Sequence, residues 1–252
     1  MTSQIQSVAR SFDIIEFLSL SPKAQPLKEI SAACSLPVTT THRLLNNLCS
    51  LGYVIHESNG LYKLSYRLFE ISSRSLFKTN IVSTTIPYLD EIGEELGESV
   101  HLVTRDGNDI VYVYKTSSSM GSVQMASRIG MRLPMYRCAV GKAIMSTLPD
   151  MEIQEIFAST DVVACTKNTV VTFDALMEQI YQIREREYAL DDEENEEGIK
   201  CVAVTLGRKG DAAKYAFSVS SLKSRMDDSR TAQIAKILLS TKQTIEEVLV
   251  DI

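Results

Sequence analysis

The segment LKEISAACSLPVTTTHRLLNNLCSLGYV, residues 27–54, decides how the rest of the chain is interpreted. On a helical wheel its second half separates into two faces. The apolar face is interrupted only by Thr41 and consists of Val38, Leu44, Leu45, Leu48, Cys49 and Leu51. The opposite face is polar and consists of Thr39, Thr40, Arg43, Asn46, Asn47 and Ser50. A solvated helix face usually carries Glu and Lys. This face instead carries short hydrogen-bonding groups and one arginine, which are the side chains that contact base edges in a DNA major groove.

The residues around this helix predict a helix-turn-helix. Thr39 or Thr40 can cap its start, and Gly52 suits a left-handed cap at its end. Upstream, residues 27–34 predict a short helix with Ala33 on its inner face. Two short helices joined by a tight turn form a helix-turn-helix, although the spacing alone fits a generic helical hairpin equally well.

The next segment favours the first of these alternatives. Residues 53–55 and 61–64 are two short runs of strand-forming residues separated by a polar loop that ends in Asn59-Gly60, which predicts a β-hairpin. A helix-turn-helix followed directly by a small hairpin is a winged helix-turn-helix.

Composition limits the class of protein. The chain has 252 residues, 44% of them hydrophobic, so it can form one large or two ordinary folded domains. We find no run long enough for a membrane span and no signal-peptide core, so we expect no membrane partner and a cytoplasmic location. The five cysteines are odd in number and widely spaced, which suggests neither a disulfide framework nor a zinc site.

The charge is unevenly distributed along the chain. The net charge is −6. Residues 1–76 hold seven basic and five acidic side chains, a net charge of +2, and the remainder therefore carries −8. This asymmetry has the sign expected for a basic DNA-binding region attached to an acidic body.

Periodicity predicts three regions and an α+β fold. Residues 1–65 form the winged helix-turn-helix, beginning with a helix over 5–20; residues 66–79 form a linker helix that can pack against a second copy; and residues 80–252 form an antiparallel sheet with flanking helices. Pro87 should break or kink the helix over 81–96. The other predicted helices are a helix starting at 139 and helices over 150–159, 173–187 and 227–252. The predicted strands are 99–104, 109–115, 123–128, 188–191, 199–206 and 214–220, with a loop over 116–122 and a turn over 207–210.

A second candidate site lies where a helix begins after Cys138. The segment does not match a phosphate loop, because Tyr136 and Ala143 stand where Gly and Ser or Thr are needed. The small residues Ala139 and Gly141 would let a carboxylate approach the unpaired N–H groups of the helix start. The alternative is a tightly packed helix start without a ligand.

Polar residues of the C-terminal region are less specific. The acidic run over 191–198 does not match a calcium loop, and we expect Asp191 to point inward and most of the others to be solvated. Cys201, Ser218 and Ser220 alternate with apolar residues on predicted strands, so each is either an inward polar group or a small packed side chain. The histidines are scattered, and we expect each to be exposed or satisfied in the core. These are His42, His56 and His101.

The chain resembles the IclR family of bacterial transcription regulators along nearly its whole length. The resemblance is carried, in order, by SLPVTTTHRLLNNLCSLGYV, SRIGMRLPMYRCAVGKAIM, YALDDEENEEGIKCVAVTL and FSVSS. It implies an N-terminal winged helix-turn-helix, a linker helix that dimerises, and a C-terminal effector domain similar to GAF domains. It also implies palindromic operators bound by a homodimer or a dimer of dimers, and small organic acids or sugar-derived acids as effectors.

The resemblance assigns roles to individual residues. Thr39, Thr40 and Arg43 fall on the recognition-helix motif. The effector pocket is implied at Met125, Ala139, Val140, Gly141, Asp191, Cys201, Ser218 and Ser220. The chain departs from the family pattern at Val38, where a lysine is common, and at Tyr136, where a histidine is frequent. MASRIGMRLPMY is similar to the subgroup linked to 2-keto-3-deoxygluconate and other sugar acids.

The sequence therefore predicts a DNA-binding regulator controlled by a carboxylate effector. Arg43 and the Thr/Asn face, including Asn46 and Asn47, would contact bases, while Lys63 in the wing and Arg10 would contact phosphates. No catalytic residue, cofactor or metal site is predicted. Two alternatives remain, a small-metabolite enzyme with an accessory helical domain and a sensor module that binds only proteins. The sequence does not distinguish activation from repression.

Overall fold

The computed structural model describes residues 5–76, 80–116, 125–207 and 210–250. The chain divides into two compact units, residues 1–78 and residues 79–252. The predictions for residues 117–124, 208–209 and the ends of the linker and closing helices lie outside the described residues. Of the described helices, none is both long enough and apolar enough to cross a bilayer.

The first unit has the helix-turn-helix and wing order that the sequence predicts. Its elements are α1 Gln6–Leu20, β1 Gln25–Pro26, α2 Leu27–Ala33, α3 Val38–Ser50, β2 Val54–His56, β3 Leu61–Leu64 and α4 Arg67–Leu76. Its core joins one apolar stripe from each of α1, α2 and α3 to the wing: Ile14, Leu18, Ile30, Leu44, Leu45, Leu48, Val54 and Tyr62. Because these residues recur at helical spacing in α1 and α3, their burial explains why both segments are helical.

The turn between α2 and α3 differs from the prediction in which side chain is buried. Ala33 is exposed, so its predicted inward orientation is wrong. Ser31 is buried instead, and its hydroxyl donates to Leu36 O at 2.5 Å. Ser35 takes a left-handed conformation with φ of 53°, so the chain reverses within a few residues and Ser31 satisfies a carbonyl of the turn.

The two ends of α3 also refine the prediction. The helix begins at Val38, so Thr39 and Thr40 lie inside its first turn, and no side chain caps it. The predicted threonine cap is therefore wrong. Val38 and Leu51, which the wheel placed on the apolar face, are exposed because they lie at the helix ends, outside the packed stripe. Gly52 has φ of +80° and ends the helix as predicted.

The wing is a three-stranded antiparallel sheet with strand order β1-β3-β2. The predicted hairpin forms, with Ile55 opposite Lys63 and Gly60 in a left-handed conformation. Strand β1, a two-residue pairing beside β3, was not predicted because two residues carry no periodicity.

The second unit is built on a six-stranded antiparallel sheet with order β6-β5-β4-β9-β8-β7. Its strands are β4 Ser99–Asp106, β5 Asp109–Lys115, β6 Arg132–Pro134, β7 Ala189–Asp192, β8 Ile199–Leu206 and β9 Tyr215–Leu222. Its helices are α5 Asn80–Leu96, α6 Ala139–Met145, α7 Asp150–Ser159, α8 Phe173–Arg186 and α9 Asp228–Val250. This arrangement confirms the predicted α+β class.

Within the described residues, the strand predicted over 125–128 is wrong, and of the break or kink predicted at Pro87 the break does not occur. Helix α5 continues through Pro87, because the burial of Leu89 and Ile92 on its inner face outweighs one lost N–H donor. Residues 125–128 form no strand, and the edge strand of the sheet is β6 instead. Residues 125–128 were assigned to a strand because the periodicity of so short a segment cannot distinguish an edge strand from a loop that covers a core.

Helices pack on both faces of the sheet. α9 packs on β8, and α5 packs on β4 and α9, whereas α6 packs on β8 and β9 and contacts α8. The face beneath α6 carries the polar residues that the sequence singled out, so α6 and this face together position the candidate site.

Candidate functional site

The polar face of α3 is presented to solvent. Thr39, Arg43, Asn46 and Asn47 are exposed, and Thr40 is half-buried. In the described part of the chain, no hydrogen bond or ion pair holds the side chains of these five residues. The donors and acceptors of this face are therefore available to a partner, as base contacts require.

The two predicted phosphate contacts have different surroundings. Lys63 is exposed in the wing, and its ammonium donates to Glu57 at 2.6 Å, which lowers the pKa of that carboxyl. This pair spans the wing hairpin, so Lys63 is held close to the tip of the wing while its remaining donors stay in solvent. Arg10 is half-buried on α1.

A small cavity of about 40 Å³ lies between the start of α6 and the polar face of the sheet. Seven of the eight predicted pocket residues line it: Met125, Ala139, Val140, Asp191, Cys201, Ser218 and Ser220. Its wall also includes residues that the sequence analysis did not select, among them His101, Tyr112, Ser127, Asn195 and Glu196. The structure thus brings the C-terminal candidates together, although they come from separate elements.

Gly141 is the predicted pocket residue that does not line the cavity. A Cβ at this position would lie 2.2 Å from Met135 O and 2.5 Å from Met135 Cα. The N–H of Gly141 forms a hydrogen bond with the sulfur of Cys138. The glycine is thus needed because α6 passes directly against the preceding backbone, and not because an anion approaches it.

Asp191 points inward, as predicted, at the end of β7. Its Oδ1 accepts hydrogen bonds from Glu194 N at 2.7 Å and Asn195 N at 3.4 Å, so the carboxyl orders the acidic loop beside the cavity. Burial raises the pKa of Asp191 to about 6, against the opposing effect of the nearby Lys142 ammonium.

A buried ion pair lies behind Asp191. Lys142 Nζ donates to Glu194 Oε1 at 2.6 Å and to Gln179 Oε1 at 2.6 Å, and the exposed fractions of the Lys142 and Glu194 side chains are 0% and 6%. The pair joins α6, α8 and the acidic loop. Sequence analysis missed it because Glu194 was expected to be solvated. The available signal was a single lysine in the otherwise apolar run of α6.

His101 is buried and hydrogen-bonded, one of the two states expected for the histidines, but its position in the cavity wall was not predicted. Burial, together with Lys115, lowers the pKa of His101 to about 3, so its ring is neutral at physiological pH. Burial also raises the pKa of the Cys138 thiol to about 12, and that of Cys201 well above its ordinary value. The cavity therefore offers neutral hydrogen-bonding groups beside the carboxyl groups of Asp191 and Glu196, and neither thiol is activated for nucleophilic attack.

Two further observations limit the chemistry. Among the described residues, no group of three or more His, Cys, Asp or Glu side chains could hold a metal ion. A larger open groove of about 1000 Å³ lies between the ends of α8 and β8 and one side of α9, and no predicted site residue lines it. The cavity at α6 is the one that combines a polar lining with the predicted residues.

Comparison with known proteins matches both units. The family model described as "Bacterial transcriptional regulator IclR C-terminal" matches residues 73–247, and the "IclR helix-turn-helix domain" model matches residues 7–57. The transcriptional regulator XynR of Escherichia coli K12 is 32% identical over 235 residues, which cover 93% of each chain. The regulator KdgR of the same organism is 28% identical, covering 96% of this chain and 91% of KdgR. The crystal structure of Thermotoga maritima IclR superposes with a TM-score of 0.85 at 28% identity, covering 98% of this chain and 99% of that one.

We predict that Lys142→Met destabilises the second unit by about 3–5 kcal/mol, because it leaves the Glu194 carboxylate buried without its cation. Urea unfolding followed by circular dichroism measures the loss. The double variant Lys142→Met/Glu194→Gln should be more stable than the single variant because no unpaired charge remains. Lys223→Met removes an exposed ion pair and serves as the control, with little expected change. Equal stability of Lys142→Met and the wild type would contradict the role of the pair.

We also predict a change in the pH dependence of stability in Asp191→Asn. The pKa of Asp191 is raised in the folded chain, so between pH 3.8 and about 6 the folded state binds a proton that the unfolded state has lost. Asp191 therefore makes the free energy of unfolding fall as pH rises through this window. In Asp191→Asn the free energy of unfolding should therefore fall less steeply with pH across this window, by up to about 1.4 kcal/mol per pH unit. Asp192→Asn, a half-exposed neighbour paired with Lys223, is the control, and parallel curves for Asp191→Asn and the wild type would refute the shift.

Proposed function

The chain belongs to the IclR family of bacterial transcriptional regulators, which bind DNA and carry a C-terminal ligand-binding domain, and we propose that a small organic acid controls its affinity for a palindromic operator. The operator would be double-stranded DNA bound by a homodimer or a dimer of dimers. The cavity beneath α6 would hold the acid. The observation that carries the DNA-binding part is the solvated face of α3, whose only charge is Arg43.

The α3 face suits base recognition. Arg43 can donate two hydrogen bonds to guanine, and Asn46 and Asn47 can pair with adenine in the same groove. Thr39 and Thr40 lie in the first turn of α3, where a recognition helix contacts base edges or nearby phosphates. The surrounding core residues hold this face rigidly, which base readout needs.

Contacts to phosphates would orient the reading face. Lys63 in the wing keeps donors in solvent beside its bond to Glu57, and Arg10 adds a cation from α1. These charges fit the net positive charge of the first unit. They would contribute affinity without sequence preference, and that contribution should weaken as salt rises.

Exposed apolar residues support dimer formation through the first unit. Val8 and Phe12 on α1 are 50% and 55% exposed, and Ile5, directly before the helix, is 67% exposed. On α4, Phe69 is 70% exposed. An exposed apolar stripe of this size is more often a contact surface than a solvated face. A second copy seated there would set two α3 helices in successive major grooves, with half-sites about one helical turn apart or a multiple of it.

The cavity favours a small acid as effector. The N–H groups of Ala139 and Val140 open α6 and can receive a carboxylate, while Ser218, Ser220 and Asp191 face its other groups. Cys201 and Met125 complete the wall beside them. A volume of about 40 Å³ admits one to a few water-sized groups. A sugar acid such as 2-keto-3-deoxygluconate would fit only if the loops that roof the cavity move outward.

The effector would act by favouring one of two arrangements of the dimer. Its contacts order the acidic loop and the start of α6, and the chain continues from the second unit to the first through α5 and α4. A ligand can change operator affinity only as far as it binds the two arrangements with different affinities.

For the DNA site, we predict that Arg43→Ala weakens specific operator binding by about 1–3 kcal/mol, because a bidentate base contact is lost. Operators are first selected from genomic fragments, and gel-shift titration then gives affinities for the operator and for unrelated DNA. Arg132→Ala, an exposed arginine of the second unit, should leave both affinities unchanged. An unaltered ratio of specific to non-specific affinity in Arg43→Ala would remove Arg43 from base recognition.

For the effector site, we predict that Asp191→Ala lowers affinity for the acid while operator binding without ligand stays intact. A thermal-shift screen of small carboxylic acids identifies the acid that stabilises the wild type most, and calorimetry then compares its dissociation constant between variants. Asp192→Ala is the matched control. A dissociation constant in Asp191→Ala equal to that of the wild type would place the effector elsewhere.

A further inference from the structure

A chain of side-chain contacts runs through the cavity wall on either side of His101. Lys115 Nζ donates to Ser127 Oγ at 3.0 Å, and Ser127 Oγ lies 2.9 Å from His101 Nε2. On the other side of the ring, His101 Nδ1 lies 3.4 Å from Ser220 Oγ, which donates to Cys201 Sγ at 3.0 Å. His101, Ser127, Ser220 and Cys201 all line the cavity.

The two ends of this chain set the direction of its hydrogen bonds. An ammonium can only donate, so Ser127 Oγ accepts from Lys115 and keeps its own hydrogen for another acceptor. Within the described residues, the acceptor in reach of that hydrogen is His101 Nε2. At the far end, Ser220 gives its hydrogen to Cys201, so its oxygen is left to accept from His101 Nδ1. Both ends therefore require that the ring carries its hydrogen on Nδ1.

The ring is also held neutral and fixed. His101 is only 2% exposed, and burial lowers its pKa, so one nitrogen donates and the other accepts. Tyr112 packs edge-on against it with ring centroids 5.4 Å apart. The neutral state matters because a protonated ring would donate at both nitrogens and could not accept from Ser127.

We propose that His101 is a positioning residue of the effector cavity, which accepts from Ser127 at Nε2 and donates from Nδ1 to Ser220, so that the Ser220 hydroxyl hydrogen is reserved for an acceptor atom of the ligand. In the structure, Ser220 donates this hydrogen to the sulfur of Cys201, a weak acceptor. A carboxylate or carbonyl oxygen replaces that bond with a stronger one. His101 thus selects ligands that present an acceptor to Ser220. This selection rests on the proposed function, whereas the state of the ring can be measured without any ligand.

Nuclear magnetic resonance of the full chain with ¹⁵N- and ¹³C-labelled histidine tests the state of the ring. His101 should give the Nδ1–H tautomer as a single neutral form across physiological pH, with signals separate from those of the exposed rings of His42 and His56. Signals are assigned by their loss in His101→Asn. A neutral His101 ring that carries its hydrogen on Nε2, or a ring that becomes doubly protonated at physiological pH, overturns the proposal.

A variant outside the ring keeps the test independent of damage to His101. Ser127→Ala removes the donor to Nε2, while Lys115 keeps its second contact, to the Ser127 carbonyl at 2.8 Å. The ring should then populate both tautomers, because the contact that remains, between Nδ1 and Ser220 Oγ, is long at 3.4 Å and favours Nδ1–H only weakly. A histidine that only fills space would not respond, so an unchanged tautomer in Ser127→Ala also overturns the proposal.

A double-mutant cycle tests whether His101 acts through Ser220. Sodium acetate, small enough for the cavity, is the probe, and calorimetric titration gives its dissociation constant for each variant. His101→Phe and Ser220→Ala should each weaken acetate binding about tenfold, and the double variant should be no weaker than either single one. His101→Asn keeps an N–H donor near the position of Nδ1, so it should bind acetate more tightly than His101→Phe and nearly as tightly as the wild type. If the losses of acetate affinity in the two single variants add up in the double variant, His101 does not act through Ser220.

The same samples separate this proposal from the proposed function. Binding of operator DNA by the unliganded wild type tests the proposed function as a DNA-binding regulator. If DNA binding fails while the tautomer and the cycle behave as described, the proposed function is wrong and the assignment of His101 stands. If DNA binding holds while the ring carries its hydrogen on Nε2, the assignment of His101 is wrong alone.

Discussion

The ion pair between Lys142 and Glu194 is the constraint on which the architecture of the second unit depends. Removing two charges from water is costly, and the cost is offset only when the partners meet at good geometry with further hydrogen bonds. Gln179 on α8 supplies one of those bonds, and Thr169 donates to the Glu194 carbonyl at 2.6 Å. The helix that forms one wall of the cavity is thereby tied to the loop that forms another. Asp191 continues the same network into the cavity through the N–H of Glu194.

Sequence patterns predicted the elements well wherever the cause of folding is local. The apolar stripe of α3 repeats at helical spacing and is followed by Gly52, so its face and its end could be predicted from neighbouring residues. The roles of Lys142 and His101 could not be predicted in this way. Their partners lie 52 and 119 residues away in the chain, and no period or motif links such positions. The same limit explains Gly141, where the small side chain was interpreted as room for a ligand and instead accommodates the backbone of Met135.

The apolar residues of α1 show a different limit. Periodicity correctly indicates that Ile5, Val8 and Phe12 share a face, but it does not indicate what covers that face. In the structure, Ile14 and Leu18 supply the contacts of α1 with its own core, and the other stripe is exposed. A single helix can therefore carry one apolar face for folding and another for association, and only the packed structure separates them. The polar face of α3 shows the same limit, since the period indicates which residues share the face and only the packed structure shows that the face is exposed.

The close passage of α6 over Met135 has a consequence for how such a protein can acquire a new ligand. Gly141 permits no added atom, and Lys142 is fixed by its partners, so the α6 wall of the cavity resists enlargement by single substitutions. The opposite roof includes Met125, Ala126, Asn195 and Glu196, and a long contact of 3.4 Å between Ala126 N and Glu196 Oε2 connects its two loops. Divergence toward larger or differently shaped metabolites is therefore least costly in these two loops. Relatives with different inducers should vary there while keeping the helix start, which makes the roof the natural place to begin engineering a biosensor.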